Sequence, residues 1–109
     1  MIKISILYPN KPGSRFDVDY YLNVKMPLAI KLLEAALKGA SVDIGMSGAM
    51  PDQAPPYAAI CEFVCESTQA FYDAFLPHAA TLQADIHNYT DIEPVIQIGQ
   101  ISEIKIPAR

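Results

Sequence analysis

Lys25 is the residue whose position in the chain most directly suggests chemistry. Apolar residues around it recur at steps of three and four, which is the spacing of one buried face of an amphipathic helix. That face comprises Val18, Leu22, Ala29, Leu32, Leu33 and Ala36. An unpaired buried ammonium is too costly to keep, so we expect a lowered pKa unless a carboxylate such as Asp17 or Asp91 lies close. Lys25 is therefore either a pocket donor, acid or base, or a lysine whose stem lies along apolar surface with its charge in water.

Pro27 is expected to disturb the helix beside Lys25. Proline has no N–H, so the carbonyl of Asn23 loses its helical donor, and Met26 should be pushed away from the α region. A polar irregularity is therefore predicted next to the lysine.

His78 is the second candidate for acid–base chemistry. It falls near the centre of the inward face of a second predicted helix, which Pro77 interrupts. That face comprises Phe71, Phe75, Ala79, Leu82 and Ile86. A histidine there is either a general acid or base, or a core residue satisfied by hydrogen bonds.

Aromatic residues could line a ligand cavity beside these two groups. The candidates are Tyr8, Tyr20, Tyr21, Phe71, Phe75 and Tyr89. Aromatic rings at helical spacing fill a core more often than they bind a ligand, so both interpretations stay open.

Cys61 and Cys65 are predicted to be free thiols. They lie in a predicted strand, where four residues span roughly 13 Å, whereas the Cα atoms of a disulfide lie about 4.4 to 6.8 Å apart. With His78 and His87 as the chain's histidines, no metal-binding spacing is present, and we expect no metal. Neither a catalytic triad nor a nucleotide-binding glycine loop appears, so no cofactor is expected.

The predicted elements alternate between strands and helices. Strands are expected over residues 2–8, 40–50, 57–65 and 93–104. Asp17 and Ser67 are predicted N-caps of the two helices, the first of which should run to about Leu37 with Gly39 as its C-cap. Gly45 suggests a bulge or a close backbone approach before a proline-rich hairpin tip.

The resulting order, βαββαβ, predicts a ferredoxin-like α+β fold with an antiparallel sheet. A faint internal repeat at an offset of 50 residues supports it, since Tyr21 matches Phe71 and Pro27 matches Pro77. We expect a single domain over residues 1–109, because the chain is too short for two.

Charge and hydropathy exclude several classes of partner. The formal net charge is −4 and no run of Lys or Arg occurs, so nucleic acid and anionic membranes are not expected partners. No apolar stretch reaches ~18 residues, and no signal peptide is visible at the N-terminus. A cytoplasmic location is therefore expected.

The apolar content suggests a second subunit. Hydrophobic residues make up 51% of the chain and charged residues only 18%, which exceeds the needs of one small core. Two helices cover one face of a ferredoxin-like sheet, and its other face needs another layer. We expect a homodimer through that sheet face.

The whole chain resembles the EthD family, named for proteins linked to ethyl tert-butyl ether degradation, in the dimeric α/β-barrel superfamily. The likeness is carried by Leu7-Tyr8-Pro9-Asn10, by residues 16–21 through Met26-Pro27-Leu28, by Phe75-Leu76-Pro77-His78-Ala79, and by residues 88–98.

This resemblance implies a ferredoxin-like subunit, a barrel-forming dimer, and a pocket between each sheet and its helices. Relatives in the superfamily isomerise lactones, oxidise polycyclic phenols without a cofactor, or bind haem, so no single reaction is implied. Members of the family typically place histidine where this chain has Lys25. A lysine replaces the hydrogen-bond donor of that imidazole but not its titration near neutral pH.

The function predicted from the sequence is the binding of a small apolar or aromatic molecule, in a catabolic or tailoring pathway. The alternative is a cofactor-free monooxygenase, isomerase or decarboxylase acting on a phenol, quinone or lactone. In that case Lys25 or His78 is the general acid or base.

Overall fold

The chain folds into an antiparallel sheet covered on one face by two interrupted helices. A computed structural model describes residues 1–108. Its elements are β1 (Ile2–Pro9), α1 (Val18–Tyr20), a π-helical turn (Tyr21–Lys25), α2 (Met26–Leu33), β2 (Gly39–Ile44), β3 (Tyr57–Cys65), α3 (Thr68–Phe75), a 3₁₀ turn (Leu76–His78), α4 (Ala79–Ala84), a second 3₁₀ turn (Ile86–Asn88) and β4 (Val95–Gln100). We call residues 18–33 the first helix and residues 68–84 the second helix. The predicted ferredoxin-like α+β fold is confirmed.

The strand order is β2-β3-β1-β4, with every neighbouring pair antiparallel. Ile4 on β1 lies opposite Phe63 and Ile98, and these side chains belong to the face that the helices cover. Three positions along β1, Leu7 lies opposite Ile60 and Val95, so an apolar row crosses the other face of the sheet.

The alternation of β3 agrees with the prediction from the sequence. Ala59, Cys61, Phe63 and Cys65 are buried, and the residues between them are half-buried. Both cysteines are free and lie on the same face of the strand, as expected.

The first helix stays continuous through Pro27 by changing its hydrogen-bonding register. In the π-helical turn the N–H of Met26 donates to the carbonyl of Tyr21, five positions earlier. Met26 keeps α-helical angles (φ −65°, ψ −44°), so the expectation that it leaves the α region is wrong. The wider turn accommodates the missing N–H of Pro27 while Met26 stays in the α-helical region of φ and ψ.

The π-helical turn also changes which residues face inward. Lys25 is buried, as predicted, and so is Tyr21. Leu22 was expected on the buried face but is 41% exposed, because the extra residue in the turn rotates the preceding residues relative to α2. The helix ends at Leu33 rather than near Leu37.

Other boundaries also differ from the sequence prediction. Gly39 opens β2 instead of capping the first helix. β2 ends at Ile44, and the chain then turns, with the N–H of Gly48 donating to Gln53. β4 is shorter than expected because β1, its pairing strand, begins at Ile2 and offers no partner for residues beyond Ile101.

The second helix begins as predicted, with the Ser67 hydroxyl accepting from the N–H of Ala70 at 3.1 Å. Around Pro77 it tightens into a 3₁₀ turn, whereas the first helix widens around Pro27. Within residues 1–108, no helix has both the length and the apolar character that a membrane span needs.

Gly45 should not tolerate a side chain. A Cβ there would overlap the carbonyl oxygen of Tyr57 and lie 2.8 Å from the Cβ of Pro55, so the loop must shift. We expect Gly45→Ala to lower the free energy of unfolding by about 1–3 kcal/mol, measured by urea denaturation. Gly99→Ala is the matched control, because nothing lies within 4 Å of a Cβ there. Equal stability of the two variants would contradict the close approach at Gly45.

Candidate functional site

A cavity of about 290 Å³ lies between the sheet and the two helices. The sheet contributes Ile4, Cys61 and Ile98, the first helix Tyr21, Lys25 and Met26, and the second helix Phe71, Phe75 and Leu82. Tyr72, Gln83 and Ile96 also line it and are exposed, so the cavity reaches solvent beside them. Its surface is almost entirely apolar.

Six of the eight site residues predicted from the sequence line this cavity. They are Tyr8, Tyr21, Lys25, Phe71, Phe75 and Tyr89. Tyr20 and His78 are outside the lining. His78 is half-buried in the 3₁₀ turn, and its side chain makes no hydrogen bond within residues 1–108. The structure therefore does not bring the two predicted catalytic residues together.

An aromatic cluster closes one end of the cavity. The rings of Tyr8, Phe16, Tyr21 and Tyr89 pack with centroids 5.0–6.0 Å apart, in tilted or edge-to-face arrangements. The hydroxyls of Tyr8 and Tyr89 share a buried hydrogen bond of 2.8 Å. The polar ends of these two rings are therefore satisfied within the protein.

Phe16 was missed by the sequence analysis, although a signal for it exists. It precedes the N-cap Asp17, and its ring lies 5.0 Å from that of Tyr21 in the following turn. This is the hydrophobic staple that often fixes how the chain enters a helix. The pattern would have placed Phe16 beside Tyr21.

Tyr89 is held by a clasp between the start of the first helix and the segment after α4. The N–H of Asp17 donates to the carbonyl of Tyr89 at 2.7 Å, and the hydroxyl of Thr90 donates to the carbonyl of Arg15 at 2.6 Å. The N–H of Arg15 donates to Asp91 at 2.8 Å. The clasp fixes the Tyr89 ring, which is fully buried.

Lys25 projects from the π-helical turn to the far side of the cavity and is only 7% exposed. Its ammonium donates a hydrogen bond to the carbonyl of Leu82 in the last turn of α4, and its Nζ lies 5.4 Å from the centroid of the Tyr89 ring. Carbonyls in the last turn of a helix lack intrahelical donors. Lys25 therefore caps α4, and two of its three N–H groups have no hydrogen-bond acceptor within residues 1–108.

Asp85 is a half-buried carboxylate beside the site, and sequence reasoning missed it. Its Oδ1 accepts hydrogen bonds from the Tyr20 hydroxyl at 2.6 Å and from the Asn88 amide at 2.8 Å. Its Oδ2 is buried and has no hydrogen-bond partner within the described residues. A signal for it exists in the spacing of the sequence. Asp85 follows Leu82 by three residues, so the two lie on the same side of the helix.

Burial lowers the pKa of Lys25, and the charge of Asp85 opposes this change. For Asp85, burial favours the protonated form, but the hydrogen bonds from Tyr20 and Asn88 and the charge of Lys25 outweigh it and lower the pKa. The lowered pKa of Lys25 agrees with the expectation from the sequence, and the carboxylate whose charge acts on it is Asp85 rather than Asp17 or Asp91, the two examples named there.

The other buried ionisable groups of the lining are neutral at pH 7. Burial raises the pKa of the Cys61 thiol to about 11, and it also raises the pKa values of Tyr8, Tyr21 and Tyr89. Of the described residues that line the cavity, Lys25 alone carries a formal charge. The arrangement is an apolar cavity with one positive hydrogen-bond donor.

Comparison with known proteins identifies the family. The model of the EthD domain matches residues 14–93, which is most of the chain. The chain belongs to the EthD family. An EthD-like protein from Ralstonia eutropha JMP134 has 38% sequence identity and a TM-score of 0.90, over 95% of this chain and 94% of that one.

More distant structures share the fold. An EthD family protein from Bacillus halodurans C-125 has 16% identity and a TM-score of 0.68, over 94% of this chain and 99% of that one. A protein from Arabidopsis thaliana has 15% identity and a TM-score of 0.67, over 97% and 100% of the two chains. No curated protein matches this EthD chain significantly.

The buried tyrosines should make the protein sensitive to alkali. An unfolded tyrosine ionises near pH 10, whereas burial raises the pKa of Tyr21 in the folded state. The contribution of each such tyrosine to the free energy of unfolding is therefore fully present below pH 10. Above pH 10 it falls by about 1.4 kcal/mol per pH unit. Between about pH 10 and 11.5, we expect the free energy of unfolding to fall less steeply with pH in Tyr21→Phe than in wild type. The difference in slope should be about 1.4 kcal/mol per pH unit.

The measurement is urea denaturation at several pH values, with the exposed Tyr72→Phe as control. Lys25, whose lowered pKa acts in the opposite direction, is present in all three proteins and cancels in the comparison. Parallel curves for wild type and Tyr21→Phe would contradict burial of the Tyr21 hydroxyl.

Proposed function

We propose that this EthD family protein binds a small apolar or aromatic molecule in the cavity, with Lys25 donating a hydrogen bond to it. The observation that carries the proposal is a buried ammonium with unused N–H groups in an otherwise apolar cavity. Ligand pockets combine an apolar lining with a few polar groups that orient the ligand.

The size of the cavity supports a small ligand. Its volume of about 290 Å³ is at the lower end of the ~300–1,000 Å³ common for ligand pockets. A cavity of about 150 Å³ engineered in another protein binds benzene. A molecule with one or two rings therefore fits.

The walls also suit an aromatic molecule. The rings of Phe71 and Phe75 line the cavity and stack on each other, with an interplanar angle of 13° and centroids 5.2 Å apart, so part of the wall is aromatic. Lys25 extends from the first helix, and its ammonium lies at the Leu82 carbonyl of the second. A ligand against the aromatic wall can present a polar atom to the ammonium.

A cofactor-free enzyme acting on a phenol, quinone or lactone is the second candidate. Burial lowers the pKa of Lys25, and a lowered pKa is the direction that favours a lysine as general acid or base. The role proposed for His78 in such a reaction has less support, because His78 is outside the cavity lining. A role in a catabolic or tailoring pathway and a cytoplasmic location stay predictions.

We also propose a homodimer through the open sheet face. Leu7, Ile60 and Val95 form an apolar row across three strands on the side away from the helices, and Val95 is 55% exposed. A second copy of the same face would cover this row.

Lys25→Met should remove polar recognition and keep the apolar stem. We expect 1-indanone to bind the wild type about 10- to 150-fold more tightly than indane, because indanone offers the ammonium an acceptor worth roughly 1.5–3 kcal/mol. Lys25→Met should bind the two probes alike. Isothermal titration calorimetry measures both affinities, and turnover assays from pH 6 to 10 test the enzyme alternative.

The control is Lys31→Met, which removes an exposed lysine from α2 and should behave as wild type. The proposal is wrong if wild type and Lys25→Met show the same preference between the two probes.

Leu7→Lys should dissociate the dimer, because it places a charge in the centre of the apolar row. Light scattering at tens of micromolar should give about twice the chain mass of 12.0 kDa for wild type and the single chain mass for the variant. Ile30→Lys, on the exposed outer surface of α2, is the control and should stay dimeric. A monomeric wild type would refute the interface.

A further inference from the structure

Asp85 is placed to act on Lys25 without touching the cavity. The ammonium of Lys25 binds the carbonyl of Leu82, and Asp85 follows Leu82 by three residues at the same end of α4. Asp85 is not part of the cavity lining. Within residues 1–108, Asp85 and Lys25 form no direct ion pair. Its carboxylate therefore lies outside the cavity, at the helix end to which the Lys25 ammonium is bonded.

The carboxylate is held in one orientation. Tyr20 and Asn88 both donate to Oδ1, whereas Oδ2 is buried without a hydrogen-bond partner among the described residues. A buried carboxylate oxygen without a donor is costly unless a positive charge stabilises it through space. Lys25 is the buried cation of this region.

The other groups facing Lys25 do not supply a counter-charge. Cys61 on β3 is a neutral thiol at pH 7, and Tyr89 presents the face of its neutral ring. His87, near Asp85, is exposed. Asp85 is thus the negative group that balances the ammonium.

We propose that Asp85 keeps Lys25 charged and positioned, and that it thereby selects uncharged ligands that carry a hydrogen-bond acceptor, such as a ketone, ester or ether oxygen. This inference rests on the ligand-binding function proposed above. Asp85 is a positioning and specificity-determining residue, because it acts through Lys25.

The selectivity follows from the charges. A lone ammonium in an apolar cavity would attract a carboxylate strongly, since opposite charges interact strongly at low dielectric. With Asp85 close behind it, the ammonium is already balanced, and an anionic ligand also meets repulsion from Asp85. A neutral acceptor uses the free N–H groups of Lys25 without adding a charge.

The test compares Asp85→Asn with wild type by two measurements. Lysine side-chain NMR, with Lys25 assigned through Lys25→Met, follows the titration of the ammonium. Calorimetry at pH 6 measures the affinities of 1-indanone and of the anion indane-1-carboxylate. We expect wild type to prefer indanone, and Asp85→Asn to shift the preference toward the carboxylate by about tenfold. We also expect Lys25 to lose its proton at a lower pH in Asp85→Asn.

Two further variants separate this role from a structural one. Asp85→Glu keeps the negative charge and should retain both the Lys25 titration and the preference for indanone. Asp73→Asn removes an exposed carboxylate of α3 that bonds to Gln69, and it should leave both measurements unchanged. If Asp85→Asn only lowers the melting temperature, with an unchanged titration and preference, Asp85 is structural and the proposal is overturned.

The same experiment distinguishes failure of the inference from failure of the proposed function. If neither probe binds any variant, ligand binding and the proposed selectivity both fall, while the Lys25 titration still shows whether Asp85 sets the charge. If both probes bind and the preference is the same in wild type and Asp85→Asn, ligand binding stands and the selectivity is refuted.

Discussion

The hydrogen bond from the Lys25 ammonium to the Leu82 carbonyl is the contact on which the site depends. It joins the π-helical turn of the first helix to the last turn of α4, across 57 residues of chain. Both residues line the cavity, so the bond links the two helices that form its walls. It also gives a carbonyl at a helix end the donor that the helix itself lacks. A structural cap and a ligand donor are compatible roles, because an ammonium has three N–H groups.

The tyrosines around this contact pack into one aromatic cluster. The cluster of Tyr8, Phe16, Tyr21 and Tyr89 is tied to the sheet through β1 and to the clasp after α4. Tyr20, the residue before Tyr21, stacks on Tyr89 and donates its hydroxyl hydrogen bond to Asp85. Two neighbouring rings therefore make different contacts, since Tyr21 lines the cavity and Tyr20 binds the carboxylate of Asp85. Both rings were predicted from the sequence to line the pocket. Tyr21 lines it, whereas the hydroxyl of Tyr20 binds Asp85 outside the lining.

Much of the fold was predictable because it depends on local patterns. The alternation in β3 and the caps Asp17 and Ser67 were identified from residue type and spacing. Lys25 was identified as buried because it interrupts an apolar face. The strand ends were not predictable, since β4 ends where its partner β1 begins. Asp85 was not predicted because its interactions are with Tyr20 and Lys25, which are distant in the chain.

The two prolines explain why the matching halves of the chain produce different sites. Pro27 and Pro77 occupy corresponding positions, yet the first helix widens into a π-helical turn and the second tightens into a 3₁₀ turn. Lys25, Ala29 and Leu33 follow one another at four-residue steps and are all buried, so the ordinary helical pattern already places Lys25 on the inner face. The widened turn acts on the residues before it, so that Tyr21 faces inward and Leu22 is exposed. In the second helix His78 lies in the tightened turn and outside the cavity lining. The apolar pattern therefore places Lys25, and the backbone response to the missing N–H group decides which aromatic residue before it joins the cavity wall.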